Sequence, residues 1–422
     1  MEGAGGAVEG AGGAVEGPGG RGAGAAGPAE ELEGWLRVAR AVERPHLGPE
    51  GWERGGLAAG GAGAAAWEAL RGRLREPVPP ERAVARFPAG GGAEQEGASR
   101  EAVARCEAEG VPCLLDGAME TGWDLEELAY ESLLARFGEV PWRLSDVHGE
   151  LLTLLEFDEY VGTTRDDAPL GIYESQFHRD PTGIISNWYS SPQTHGGEPL
   201  FSSDLFALSR SWRRPPWRWV LIGAERSGTG MHVDPIYTSA WVALVAGLKR
   251  WVMFPPDTEP VGEHGGPAGP REAPLARDSE PQLEAVHWFM EHYAAVGSPE
   301  WPGAPPVEIL QRPGEVVYVP QGWHHIVVNL ETSVAVTHNW ASELGQFELM
   351  WRETCRDEPH FARAFFRALR RERPDLARRA IAAAVPPGGL PPWDAAPSPD
   401  SSEPSSPADS SDSDSSDSPR AK

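Results

Sequence analysis

Three cysteines, Cys106, Cys113 and Cys355, are all that the 422 residues contain, and no two of them form a C-x-x-C pair. That scarcity excludes a disulfide framework and leaves no cysteine cluster for a structural zinc, so a reducing compartment is expected. Positive charge is scarce too. Lys and Arg number 37 against 63 Asp and Glu, a formal net charge of −26. Strong nucleic-acid binding through a broad basic face, which exchanges side-chain cations for phosphate counterions, is therefore not expected. No run approaches the roughly 18 apolar residues of a membrane-spanning helix, and the N-terminus lacks the basic and apolar stretches of a secretory signal. The expectation is a soluble, intracellular protein with no membrane partner.

Glycine and proline, by contrast, are plentiful, with 50 and 41 residues. They crowd the two ends and a few internal stretches, which marks tails and linkers. Residues 1–80 read as largely disordered. EGAGGAV occurs twice near the start and Gly55–Ala66 is a run of small residues, with a weak helical pattern over Leu32–Val42 between them. Residues 81–160 read as an α+β layer: a helix over Ala98–Gly110 started by Ser99, a strand at VPCLL, and a helix over Leu125–Phe137. Residues 161–345 carry short strands punctuated by turns, the pattern of a β barrel or sandwich. A Pro/Gly-rich loop from Pro255 to about Pro281 and a helix over Gln282–Ala295 interrupt it. Residues 346–385 read as helices split by Pro374. Residues 386–422 read as a disordered acidic Ser/Pro tail, a candidate for phosphorylation.

The chemistry concentrates in the barrel segment. His232 and Asp234 form a His-x-Asp pair on an apparent strand, where residues two apart share a face. Some ninety residues on, GWHHIVVN offers His324 and His325 as a third ligand. Two histidines and one carboxylate on one face of a metal is the arrangement of non-haem Fe(II) sites with open positions. In so acidic a chain the pair alone is better explained by a surface or core histidine with a chance carboxylate neighbour. Lys249 adds weight, because a lysine among the apolar residues of LKRWVMFPP needs an anion if it points inward. The distal carboxylate of 2-oxoglutarate would serve, and a solvated Lys249–Arg250 pair at a strand end is the alternative. Thr229, Thr337 and Asn339 can hydrogen-bond a cosubstrate, though threonine is common in strands for structural reasons.

The motifs GTGMHVDP, TSAWVALVAGLKRWVMFPP, VEILQRPGEVVYVPQGWHHIVVNLETSVAVTHNWAS and TRDDAPLGIYES closely resemble the Jumonji-C bifunctional arginine demethylase and lysyl hydroxylase family. The match runs from about Tyr160 to Ser342. The resemblance implies a fold that is mainly β with flanking helices: a double-stranded β-helix (jelly-roll, JmjC/cupin) core, an N-terminal α+β layer and C-terminal helices. It places Fe(II) on His232, Asp234 and His325, and 2-oxoglutarate on Thr229, Lys249 and Thr337, with O2 as oxidant and ascorbate as reductant. Trp323 is expected nearest the metal.

Two departures stand out. Val242 and Gly171 replace an asparagine and a tyrosine that contact the cosubstrate, and Tyr173, two residues from Gly171 on the same face, can substitute in part. The implied activity is lysine C5 hydroxylation, with N-methylarginine demethylation as a second reaction. Basic substrates such as histone tails and Arg/Ser-rich splicing factors are implied, with a nuclear location or, since no polybasic import run is present, a cytoplasmic one. The competing reading is a non-catalytic JmjC-fold binding module that has lost its cosubstrate. A homodimer through Phe361, Phe365 and Phe366 of the C-terminal helices is a further expectation, by analogy with other such oxygenases.

Overall fold

The computed structural model describes residues 28–89, 93–119, 123–144, 151–175, 199–210, 213–256, 258, 283–298, 301 and 305–384. The repeat at the N-terminus, most of the loop after Pro255 and the acidic tail lie outside the described residues.

Two sheets face each other. The larger has seven strands in the order β1-β2-β11-β8-β13-β6-β5 and the smaller four, β10-β9-β12-β7. The larger is built from β1 (Ala85–Pro88), β2 (Cys113–Asp116), β5 (Gly171–Glu174), β6 (Arg218–Gly223), β8 (Ser239–Ala246), β11 (Val316–Val319) and β13 (Ser333–Trp340). The smaller is built from β7 (Gly228–His232), β9 (Lys249–Phe254), β10 (Val307–Gln311) and β12 (His324–Asn329). A separate hairpin pairs β3 (Pro141–Arg143) with β4 (Leu151–Thr153). The strands read as near-continuous apolar runs because both faces of each sheet are covered. Ala240, Val242, Leu244, Trp251, Met253, Val317, Val327 and Ala335 pack between the sheets. Their neighbours in sequence, such as Trp241, Ala243, Val252 and Phe254, face the helices outside. This is the jelly-roll expected.

The helices are more extensive than the sequence suggests. They are α1 (Pro28–Glu43), α2 (Gly48–Gly51), α3 (Ala64–Leu74), α4 (Ala93–Glu109), α5 (Tyr130–Phe137), α6 (Leu154–Thr163), α7 (Ala285–His292), α8 (Phe347–Asp357), α9 (Pro359–Glu372) and α10 (Pro374–Ala384). No described helix is long and apolar enough to cross a membrane.

The reading of residues 1–80 as largely disordered needs correction from residue 28 onward. Leu32, Leu36 and Ala39 of α1 are buried at helical spacing in the core behind the larger sheet. Trp67, Leu70 and Leu74 of α3 do the same beneath the smaller one. The small-residue stretch between them is a tethered loop: the amides of Gly55 and Leu57 donate to the Asp167 carboxylate at 2.5 and 2.6 Å. Arg250, on the outer face of β9, donates to the carbonyl of Glu76 at 3.0 Å and pairs with buried Glu308, which also holds Arg82 at 2.6 Å. These pairings replace the water that a free linker would keep.

Other boundaries shift for identifiable reasons. Helix α4 begins at Ala93, so Ser99 is not its cap but a mid-helix residue whose hydroxyl donates to the Pro88 carbonyl. Of Leu125–Phe137 only Tyr130–Phe137 is helical. The split at Pro374 falls where expected, and Phe361, Phe365 and Phe366 pack inside the chain against Phe206 and Trp351 rather than on an outer face.

Candidate metal centre

β7 and β12 run antiparallel, with His232 opposite His325 and Thr229 opposite Val327, the register slipping between them. The approach is close enough that a Cβ on Gly228 would lie 2.0 Å from the Val327 carbonyl oxygen, so no other residue fits there. This pairing brings the two imidazoles together, their centroids 4.1 Å apart and their planes tilted by 55°. Asp234 is not on the strand as the sequence implied. β7 ends at His232, and Asp234 heads a tight 3-10 turn over Pro235–Tyr237 in which Ile236 takes a φ of 48°. A β-branched residue in that region is strained, and the turn swings the carboxylate to the ring of His232, with Oδ1 4.0 Å from Nε2. One ligand atom from each of His232, Asp234 and His325 lies within 4.8 Å of the others.

The donor set fits a divalent metal on three counts. The Nδ1 of His232 lies 2.8 Å from the Gly230 carbonyl and that of His325 lies 3.0 Å from the Trp323 carbonyl. A carbonyl only accepts, so both Nδ1 atoms carry hydrogen and both Nε2 atoms present lone pairs, the tautomer a metal needs. Burial, reinforced by His232, holds the imidazole of His325 well below its ordinary pKa and keeps it neutral. Asp234 Oδ2 is buried without a hydrogen-bond partner, an expensive state that a cation relieves. Burial raises the Asp234 pKa, opposed by His232 and by a hydrogen bond from Asn339. Asn339, expected to touch cosubstrate, is thus placed on Asp234, and its Nδ2 also donates to Thr238 Oγ1 at 3.0 Å.

The remaining residues divide. Lys249 pairs with Asn329 across β9 and β12, on the same strand faces that bring Trp251 beside Val327 and Met253 beside His325. It is therefore turned into the barrel and not toward solvent. Its ammonium donates to Asn329 Oδ1 at 2.5 Å, Asn329 Nδ2 donates to Ser227 Oγ at 2.9 Å, and burial alone lowers the Lys249 pKa to about 7. Thr337 sits opposite Val242 on β8 and Trp219 on β6. Tyr173 lies in the same interior; its hydroxyl donates to the Gly228 carbonyl at 3.2 Å and interacts with Thr229. A Cβ on Gly171 would lie 3.3 Å from the Tyr173 ring, so the missing side chain at 171 is what lets that ring lean over.

Sequence reasoning missed Asn329 and Gln311, whose side chain joins Trp251 Nε1 at 3.0 Å to the Val242 carbonyl at 2.8 Å. Counting by twos from His325 reaches Asn329. Trp251, whose ring stacks on His325 at 6.0 Å, takes the place expected for Trp323. The Trp323 indole donates instead to the Gly110 carbonyl at 2.8 Å. His324, the other ligand candidate, projects from the opposite strand face and is not in the cluster.

A jelly-roll with two histidines and an aspartate converging at one end defines the class, and residues 219–340 match the family model described as JmjC domain, hydroxylase. The barrel of this chain is a JmjC domain. The chain is similar to the bifunctional arginine demethylase and lysyl-hydroxylase psr-1 of Caenorhabditis briggsae, at 35% identity over 280 residues, 63% of this chain and 64% of that protein. It is also similar to the arginine-specific demethylase JMJ22 of Arabidopsis thaliana, at 34% over 232 residues, 55% of this chain and 42% of that protein. A third relative is the 2-oxoglutarate and iron-dependent oxygenase JMJD4 of Danio rerio, at 25% over 239 residues, 53% of this chain and 51% of that protein. The chain thus spans just under two thirds of the length of the first of these relatives, and less of the others.

Proposed function

We propose that this protein is an Fe(II)- and 2-oxoglutarate-dependent oxygenase that hydroxylates side chains of basic proteins. Lysine C5 is the target the reading favours, with N-methylarginine demethylation as a second reaction. The observation that carries it is the convergence of His232, Asp234 and His325 at one end of a barrel whose interior also holds Lys249. Iron would be held by the two Nε2 atoms and the Asp234 carboxylate; with 2-oxoglutarate and O2 it supplies the oxidising power for a C–H bond.

The chain's own residues have separable tasks. The carbonyls of Gly230 and Trp323 fix the imidazole tautomers. Asn339 holds the Asp234 carboxylate in place. Lys249, held by Asn329, meets the far carboxylate of the cosubstrate, where a charge-assisted bond in a dry barrel is strong. Thr229, Thr337 and Tyr173 line the space between. Val242, Trp251 and Val327 exclude water. The nuclear location and the histone or splicing-factor substrates implied by the resemblance belong to this same reading, and the net charge of −26 suits basic partners.

The test is succinate release by purified protein with Fe(II), ascorbate and 2-oxoglutarate, with and without basic peptides. Turnover that rises with peptide and vanishes in Asp234→Ala is expected. No turnover above that control overturns the reading and leaves a binding module.

A further inference from the structure

Helices α9 and α10 reverse the sign of the chain. Residues 359–384 carry seven arginines against Glu372 and Asp375, a local charge of +5 in a protein whose net charge is −26. On α9 these arginines form a stripe. Phe361, Phe365, Phe366 and Leu369 are buried in the core, so Arg363, Arg367 and Arg370, four and three residues apart, share the exposed face. Part of the charge is matched. Arg371 pairs with Glu372 at 2.7 Å, Arg373 with Glu343 at 2.6 Å and with Asp375 at 2.8 Å, and Arg379 with Glu348 at 2.6 Å. Arg367 has contacts of its own. Arg363 and Arg370 on α9 and Arg378 on α10 are exposed, and among the described residues none of the three forms an ion pair. We infer that this arginine face is an intramolecular docking surface whose occupant is the chain's own Ser/Asp segment, residues 400–418.

Charge and reach both point to that segment. It holds six Asp and Glu among ten Ser and contains no Lys, Arg or His, so every charge it brings has the sign that the face takes up. Carboxylates are also the acceptors that the planar fork of a guanidinium grips in pairs. Only residues 385–399 separate the end of α10 from the segment. Fifteen residues at ~3.1 Å each span up to about 45 Å, whereas the 14-residue α9 is roughly 21 Å long. The whole face is therefore within reach. Exposed ion pairs are individually weak and screened by salt. A tether offsets this, because it presents the segment at an effective concentration in the millimolar range and lets several pairs act together, an advantage that a separate acidic partner lacks.

The inference stands apart from the oxygenase reading, since none of these arginines belongs to the metal cluster, and its test needs no turnover. A fluorescently labelled peptide of residues 400–418 is titrated by anisotropy into the native full chain and into a full-length variant carrying Asp409→Asn, Asp412→Asn, Asp414→Asn and Asp417→Asn. In the native chain the face is already occupied, so the peptide is expected to bind the variant at least tenfold more tightly. Adding Arg363→Gln, Arg370→Gln and Arg378→Gln to the variant, or raising NaCl from about 50 to 500 mM, is expected to abolish that gain. Should the combined variant not fold, Arg363→Gln/Arg370→Gln alone serves, with Arg363→Lys/Arg370→Lys expected to restore part of the binding. Equal binding to the native chain and the Asp variant, no binding to either, or a gain that survives the arginine substitutions in folded protein overturns the inference. A labelled oligouridylate that binds the native chain through the same arginines more tightly than the peptide binds the Asp variant also overturns it, and assigns the face to nucleic acid.

Discussion

Burial brings the pKa of Lys249 down to about 7, so its proposed contact with the cosubstrate would make affinity a function of pH. Burial disfavours the charged form, whereas a bound carboxylate requires it, so binding takes up a proton wherever the free lysine is neutral. Below about pH 7 the lysine is already charged and affinity is flat. Above it, the Kd for 2-oxoglutarate should rise by up to about tenfold per unit until the pKa of the complex is passed. Calorimetry with Mn(II) from pH 6 to 9 measures this, and Lys249→Ala should both weaken binding and abolish the slope. A slope that survives the substitution assigns the proton elsewhere. Val242 offers a second prediction. An asparagine there buries an amide among Ala335, Val317 and Trp251, which should cost about 1–3 kcal/mol of stability without ligand. With 2-oxoglutarate present the Kd should tighten by about tenfold, or 1.4 kcal/mol. An unchanged Kd would show that the position does not face the cosubstrate.

Among the elements, α3 tests how far the folded unit extends toward the N-terminus. Trp67 is buried under the smaller sheet, and its indole donates to Glu225 at 2.7 Å. Trp67→Ala should cost about 3–5 kcal/mol in urea denaturation; a loss under 1 kcal/mol would mean that α3 is not part of the cooperative core. The barrel strands were legible because runs such as WVALVA and WVMF are buried on both faces. Helix α3 was not legible, since a stretch of glycine and alanine precedes it, and the partners that hold that stretch and the helix, Asp167 and Glu225, lie more than a hundred residues away. For the same reason the site was only half readable. Strand alternation pairs His325 with the lysine-bearing face of β9, while the strained turn at Ile236 that delivers Asp234 leaves no mark in residue spacing.

The whole molecule is a barrel clasped on three sides. Helices α1, α4 and α6 back the larger sheet, α3 and α7 back the smaller, and α8 to α10 close the end beside Asp234. That arrangement leaves Lys249 buried inside the barrel. On the proposed reading, three side chains from two strands and a turn would hold one iron together with 2-oxoglutarate. The direct measurement is the anaerobic visible spectrum on adding Fe(II) and 2-oxoglutarate, where a chelate on this donor set absorbs by metal-to-ligand charge transfer. The band is expected in the native protein and absent in Asp234→Ala. No band in the folded native protein, or the same band in the variant, would contradict the assignment.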